Sequence, residues 1–152
     1  MAEHRATITW QGTAAAADFV KGKYSREHTW AFDCGVTVPA SPAPSVVPAP
    51  WSNTANVDPE EAYVASIASC HMLTFLYVAA KAGYAVTSYR DEAVGVLTKN
   101  ERGVPWVSKV TLSPVIAWAE RVPDATELAK LHHAAHAGCY IASSVKSEIV
   151  IA

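Results

Sequence analysis

Residues 58–72 read Asp58-Pro59-Glu60-Glu61-Ala62-Tyr63-Val64-Ala65-Ser66-Ile67-Ala68-Ser69-Cys70-His71-Met72, and this stretch decides how the rest of the chain is read. Asp58 is a good N-cap, Pro59 suits the first helical position, and Glu61 completes a capping box three residues after the cap. The helix should run to about Ala82, where Gly83 ends it. Its interior is apolar almost all round, which predicts a central, buried helix.

Upstream, Ala6–Trp10 alternates in polarity and reads as a strand, and Phe19–Tyr24 and His28–Asp33 read as two more. The segment Thr37–Val57 carries Pro39, Pro42, Pro44, Pro48 and Pro50. It can be neither regular helix nor a central strand and reads as a long ordered loop. Downstream, Ala85–Thr98 and Val104–Glu120 look like the two long strands of a hairpin, with Asn100–Gly103 as its turn. Pro105 and Pro114 in the second strand suggest a sheet edge or a bulge. Asp124 caps a second helix from Ala125 to about Ala137, and Gly138 breaks it. A short helical segment follows to about Val145, and Ser147–Ala152 is a last strand. There are no internal repeats. Strands and helices are segregated rather than alternating, so the class is α+β in a single domain spanning 1–152.

The chain has 152 residues, 51% hydrophobic and 17% charged, with a formal net charge of -2. That supplies a substantial core, and the low charge is compatible with a homo-oligomer. No basic cluster is present, so nucleic acid is not an expected partner. The first residues lack a basic region followed by an apolar core, so no signal peptide is expected. The apolar run from Ala62 to Ala85 is interrupted by Ser66, Ser69, His71, Thr74 and Lys81 and reads as a buried helix, not a membrane span. The expected location is the cytoplasm.

Three cysteines, Cys34, Cys70 and Cys139, do not make a disulfide framework. A free cysteine is commonly a small buried hydrophobe, and burial alone raises a thiol's pKa and makes it inert. A reactive Cys70 therefore needs a cation or hydrogen-bond donors beside it. At helical spacing its neighbours are Tyr63, Ser66, Ile67, Leu73, Thr74 and Tyr77. Cys139 has His136 one turn back and His132 two turns back.

Residues 58–72 resemble the signature helix of the OsmC/Ohr family. The stretch His136-Ala137-Gly138-Cys139-Tyr140-Ile141-Ala142-Ser143-Ser144-Val145-Lys146 resembles that family's second cysteine segment, and the resemblance covers nearly the whole chain. It implies an intertwined homodimer with two curved sheets wrapped around central helices. It also implies a peroxidase of the oxidative stress response that reduces organic hydroperoxides and uses no cofactor. Carried onto this sequence, the resemblance makes Cys70 the attacking thiolate and Cys139 the resolving thiol. Glu60 matches the family's catalytic Glu, and Arg26 lies where its catalytic Arg is expected.

The physical chemistry of those roles is coherent. Only a thiolate attacks the O–O bond, and a guanidinium is a permanent cation that stabilises both the thiolate and charge on the leaving oxygen. The sulfenic acid left on Cys70 would condense with Cys139 to a disulfide, which a dithiol such as a dihydrolipoyl protein reopens. Apolar neighbours around Cys70 favour alkyl or lipid hydroperoxides. Ten residues of straight helix span roughly 15 Å, so Glu60 should serve the partner chain's cysteine unless the helix bends.

Two alternatives stay open. One is an OsmC-like dimer without peroxidase activity that binds a small apolar ligand in the same pocket. The other is a metal-binding or structural dimer, since His132, His133 and His136 with Cys70, His71 and Cys139 could hold zinc. No CxxC pair supports that site, and no metal is expected. His71 points about 100° away from Cys70 around the helix. The His-Met after Cys70 suggests an OsmC-like branch distinct from the hydroperoxide-resistance branch. Cys34 is taken as structural, Glu61 as a capping residue.

Overall fold

The computed structural model describes all residues 1–152. The chain forms two compact units, Met1–Ala62 and Tyr63–Ala152.

The first unit holds an antiparallel sheet of order β1-β2-β3, formed by β1 (Ala6–Thr9), β2 (His28–Phe32) and β3 (Thr37–Ala40). The register pairs Ile8 with Trp30 and Trp30 with Val38. The strand expected at Phe19–Tyr24 is absent. Four successive alanines, Ala14–Ala17, favour a helical turn, and α1 (Ala16–Phe19) forms there instead. Gly22, with φ 76°, then reverses the chain. The ring of Tyr24 stacks on Phe19 with centroids 4.4 Å apart. The proline-rich segment contributes β3, which lies at the sheet edge, where Pro39 is tolerated. The loop after it is pinned by backbone bonds from Ser41 N–H to the Val57 carbonyl and from Arg26 N–H to the Trp51 carbonyl. Asn53 and Asn56 donate side-chain hydrogen bonds to Glu27. These amides, Asn53 first, hold the Glu27 carboxyl below its usual range.

Helix α2 (Pro59–Lys81) begins as its sequence demands. Glu61 N–H donates to Asp58 Oδ1 at 2.7 Å, and Asp58 N–H donates to Glu61 Oε2 at 3.1 Å, the reciprocal capping box. It ends at Gly83, φ 80°, with Tyr84 N–H donating to the Ala79 carbonyl in a Schellman-type closure. Its fully buried residues are Ile67, His71, Phe75 and Ala79, one i,i+4 row. The helix is therefore buried along one stripe rather than all round. Leu73 and Tyr77 remain 61% and 60% exposed, with Ser66 and Ser69 exposed on the same side.

In the second unit the expected hairpin is bent into two. Each long strand breaks in its middle, giving β4 (Val86–Asp91) and β5 (Val94–Lys99) on one side, β6 (Pro105–Leu112) and β7 (Pro114–Trp118) on the other. β4 pairs with β7 and β5 with β6, each pair antiparallel and in a separate sheet. Asp91 Oδ1 accepts the Ser113 N–H at 2.7 Å where the two breaks meet. Pro105 and Pro114 each open a strand, where a missing N–H costs least. Strand β8 (Glu148–Ile151) joins β6 in parallel, after α3 (Ala125–Gly138) and the short α4 (Tyr140–Ser144). Asp124 caps α3 by accepting the Glu127 N–H at 2.8 Å.

Two apolar clusters hold this unit together. Phe75, Ala79 and Tyr84 pack with Leu131 and Ala135 of α3 beneath the β4–β7 pair. Ile67 packs with Val110 and Leu112 of β6, flanked by Ile149 and Ile151 of β8. α2 thus runs across both small sheets and presents residue 70 to the end of α3.

Candidate active site

Cys70 lies on α2 between the buried positions Ile67 and His71 and is half-buried. The carbonyl of Cys70 accepts the Thr74 hydroxyl at 2.9 Å. Cys139 closes α3 and caps α4, with its Sγ accepting the Ala142 N–H at 3.3 Å. Both thiols are free, and they lie within hydrogen-bonding reach of each other. The two sulfurs differ in surroundings. Cys139 is 1% exposed, and burial pushes its thiol pKa up, helped by the hydrogen bond with Cys70 and opposed by the Ala142 and Ile141 N–H groups. Cys139 is held as a protonated thiol, and Cys70 is the less buried residue of the two.

Arg26 and Glu60 belong to the first unit. The Arg26 guanidinium donates to the Tyr24 carbonyl at 3.0 Å and the Gly22 carbonyl at 3.3 Å, and it stacks 4.0 Å over the Tyr24 ring. His28 fixes the backbone beside it: its Nδ1 lies 2.8 Å from the Arg26 carbonyl, while its Nε2 accepts the Trp30 indole N–H at 3.0 Å. Arg26 makes no ion pair with Glu60; two carbonyls and an aromatic face orient it instead. It borders an apolar cavity of about 400 Å³ lined by Trp10, Phe19, Tyr24, Pro42 and Pro59. Glu60 sits in the first turn of α2, ten residues before Cys70.

The sequence reading missed one feature. His71 and His132 stack with rings 11° from parallel, and His71 Nε2 lies 3.1 Å from His132 Nδ1. They are 1% and 9% exposed. Burial depresses the His71 pKa to about 4, with His132 and His136 adding to the effect. His132 is lowered too, again by burial, against a small opposing pull from Asp91. The signal was present in the row Ile67-His71-Phe75-Ala79, whose i,i+4 spacing puts His71 on the buried stripe. The histidines pair with each other, and no group of three or more His, Cys, Asp or Glu side chains converges as a metal cage. Cys34 is exposed in the turn between β2 and β3 rather than packed in a core.

The site is a neighbouring pair of free thiols, one half-buried and one buried, on an α+β scaffold with a central helix. Residues 52–152 match the family profile described as OsmC-like protein, and the chain belongs to that family. An OsmC-like protein of unknown function from Vibrio cholerae O1 biovar eltor is 49% identical, with a TM-score of 0.93 over 100% of this chain and 99% of that one. The fold is shared more distantly with an organic hydroperoxide resistance protein from Elizabethkingia anophelis, at TM-score 0.72, 17% identity and 99% and 93% coverage. It is shared also with the organic hydroperoxide resistance protein OhrB of Bacillus subtilis, at TM-score 0.60, 18% identity and 97% and 94% coverage. No curated protein matches the chain.

Proposed function

We propose that this protein is a thiol peroxidase that reduces organic hydroperoxides to alcohols. The observation that carries the reading is the contact between a half-buried Cys70 and a buried, protonated Cys139. The Cys70 thiolate attacks the terminal peroxide oxygen, the O–O bond breaks, and the leaving alkoxide takes a proton to become the alcohol. Cys70 is left as a sulfenic acid. The Cys139 sulfur then attacks the Cys70 sulfur, its proton leaves with the hydroxyl group as water, and a disulfide closes. An external dithiol returns both residues to thiols by exchange. The low thiolate fraction of Cys139 suits the resolving role, since a protonated buried thiol does not compete for peroxide.

Arg26 is assigned the fixed positive charge that favours thiolate and leaving alkoxide, and Glu60 the carboxylate that acts with it. The homodimer is part of the proposal. The stripe Ser66, Ser69, Leu73 and Tyr77 leaves one face of α2 open, two small hydroxyls followed by two large exposed side chains, which suits a two-fold pairing of α2 helices. Ten helical residues separate Glu60 from Cys70, so Glu60 of one copy is assigned to Cys70 of the other. A reducing compartment, the cytoplasm, suits a dithiol resting state.

The test is consumption of cumene hydroperoxide with dithiothreitol as reductant. Wild type should turn over and Cys70→Ser should not; equal rates in the two would sink the reading. A second reading, an OsmC-like dimer that binds a small apolar ligand without turnover, is favoured by the apolar cavity beside Arg26. It predicts ligand binding with no peroxide loss in either protein.

A further inference from the structure

Gly138 directly precedes Cys139 and is the last residue of α3. Its φ is not positive, so the backbone does not require glycine there. Alanine is the better helix former at such a position. Space supplies the reason instead. A Cβ on Gly138 would lie 3.1 Å from Thr74 Cγ2, tighter than an ordinary van der Waals contact, and one side would have to give by a few tenths of an ångström.

Thr74 is not free to give. Its hydroxyl donates to the Cys70 carbonyl at 2.9 Å, which fixes the side-chain rotamer and with it the direction of Cγ2. The clash would therefore be relieved at the other side, by the end of α3 moving off α2. Cys139 is the next residue and would move with it, away from Cys70. Thr74 thus touches both halves of the thiol pair: it holds the Cys70 backbone through Oγ1 and meets the residue before Cys139 through Cγ2.

We propose that Gly138 and Thr74 are positioning residues that set the separation of the Cys70 and Cys139 sulfurs, and so the ease with which the disulfide closes. The inference rests on the two thiols being redox partners, not on hydroperoxide being the oxidant. Closure with oxidised dithiothreitol forms the Cys70–Cys139 bond and breaks the S–S bond of the reagent. Two electrons and two protons pass to it and yield reduced dithiothreitol. The equilibrium constant of that exchange reads the effective concentration of one protein thiol at the other.

The experiment is equilibration of the protein in mixtures of reduced and oxidised dithiothreitol, with thiols counted by alkylation. A Cys34→Ser background leaves only the pair to report. Gly138→Ala should reduce the equilibrium constant for closure about tenfold, a rise of about 30 mV in midpoint potential. Thr74→Ser keeps the hydroxyl bond and removes Cγ2. In Gly138→Ala/Thr74→Ser the added methyl has nothing to meet, and the potential should return to that of Thr74→Ser alone. A wild-type potential in Gly138→Ala overturns the proposal, as does a shift that Thr74→Ser fails to restore. Should Gly138→Ala not fold, the double variant decides: folding with the potential of Thr74→Ser supports the contact, and a potential shifted from it refutes the contact. No peroxide enters this measurement, so normal closure without hydroperoxide turnover would remove the peroxidase reading and leave this one standing.

Discussion

Acid should loosen this protein through one buried ring. The perturbation is a fall in pH from 7 to 4. In the unfolded chain His71 takes up a proton near its ordinary value of 6.5, whereas in the fold it does so only near 4, because burial among Phe75 and His132 disfavours the cation. The unfolded state therefore binds the proton first as pH falls. Stability is unaffected by this group above pH 6.5, declines through the window from 6.5 to about 4, and then levels off. Each pH unit in that window costs about 1.4 kcal/mol, so the whole window costs about 3 kcal/mol, a large part of a typical domain's stability. The assay is urea unfolding at fixed protein concentration at pH 7, 6, 5 and 4, on wild type and His71→Gln. Carboxylates titrate in both proteins, so the difference between the curves isolates the imidazole. The wild type should lose about 3 kcal/mol more than the variant between pH 7 and 4. Parallel curves would show that His71 is not held neutral by its surroundings, and the reasoning would fail.

Two further outcomes follow from packing. Gly95→Ala should destabilise by about 1–3 kcal/mol, because its Cβ would lie 2.5 Å from Val64 Cγ2 where α2 crosses β5; an unchanged urea midpoint would contradict the contact. The proposed pairing of α2 helices predicts that wild type sediments as a dimer and that Leu73→Glu with Tyr77→Glu sediments as a monomer with the far-ultraviolet spectrum of a folded chain, since both side chains lie on the open stripe of α2. A dimer that persists would place the interface elsewhere.

Much of the scaffold was legible in sequence because its signals are local. The capping box at Asp58 and Glu61, the Gly83 stop and the Asp124 cap depend on residues within one turn, and each forms as read. What failed to show depends on tertiary choices. The Phe19–Tyr24 segment carries aromatic residues suited to a strand, yet the alanine run before it nucleates α1 and Gly22 turns the chain. The break at Ser113–Pro114 was signalled by proline, but its effect on the partner strand was not. The bend at Glu92–Ala93 is set across the sheet by the Asp91–Ser113 bond. The parallel pairing of β8 with β6 has no local signature at all.

The site divides in the same way. Cys70 and Cys139 were singled out by two motifs, and the fold brings their sulfurs together although sixty-nine positions separate them. Arg26 was placed by position alone. Its orientation by the Tyr24 ring and carbonyl depends on how the chain packs after the Gly22 turn, which no local pattern specifies. His71 looked like a residue turned aside from the thiol. Its actual partner, His132, lies on another helix, and only the spacing of the buried row hinted that it faces inward.

The most direct measurement is intact and peptide mass spectrometry after one equivalent of cumene hydroperoxide is added to the fully reduced protein without any reductant. The expected product has lost two hydrogens and yields a single linked peptide pair joining Cys70 to Cys139, while Cys139→Ser instead retains an added oxygen on Cys70. Recovery of both thiols unmodified, or oxidation that begins at Cys139 and spares Cys70, would contradict the assignment of the two sulfurs.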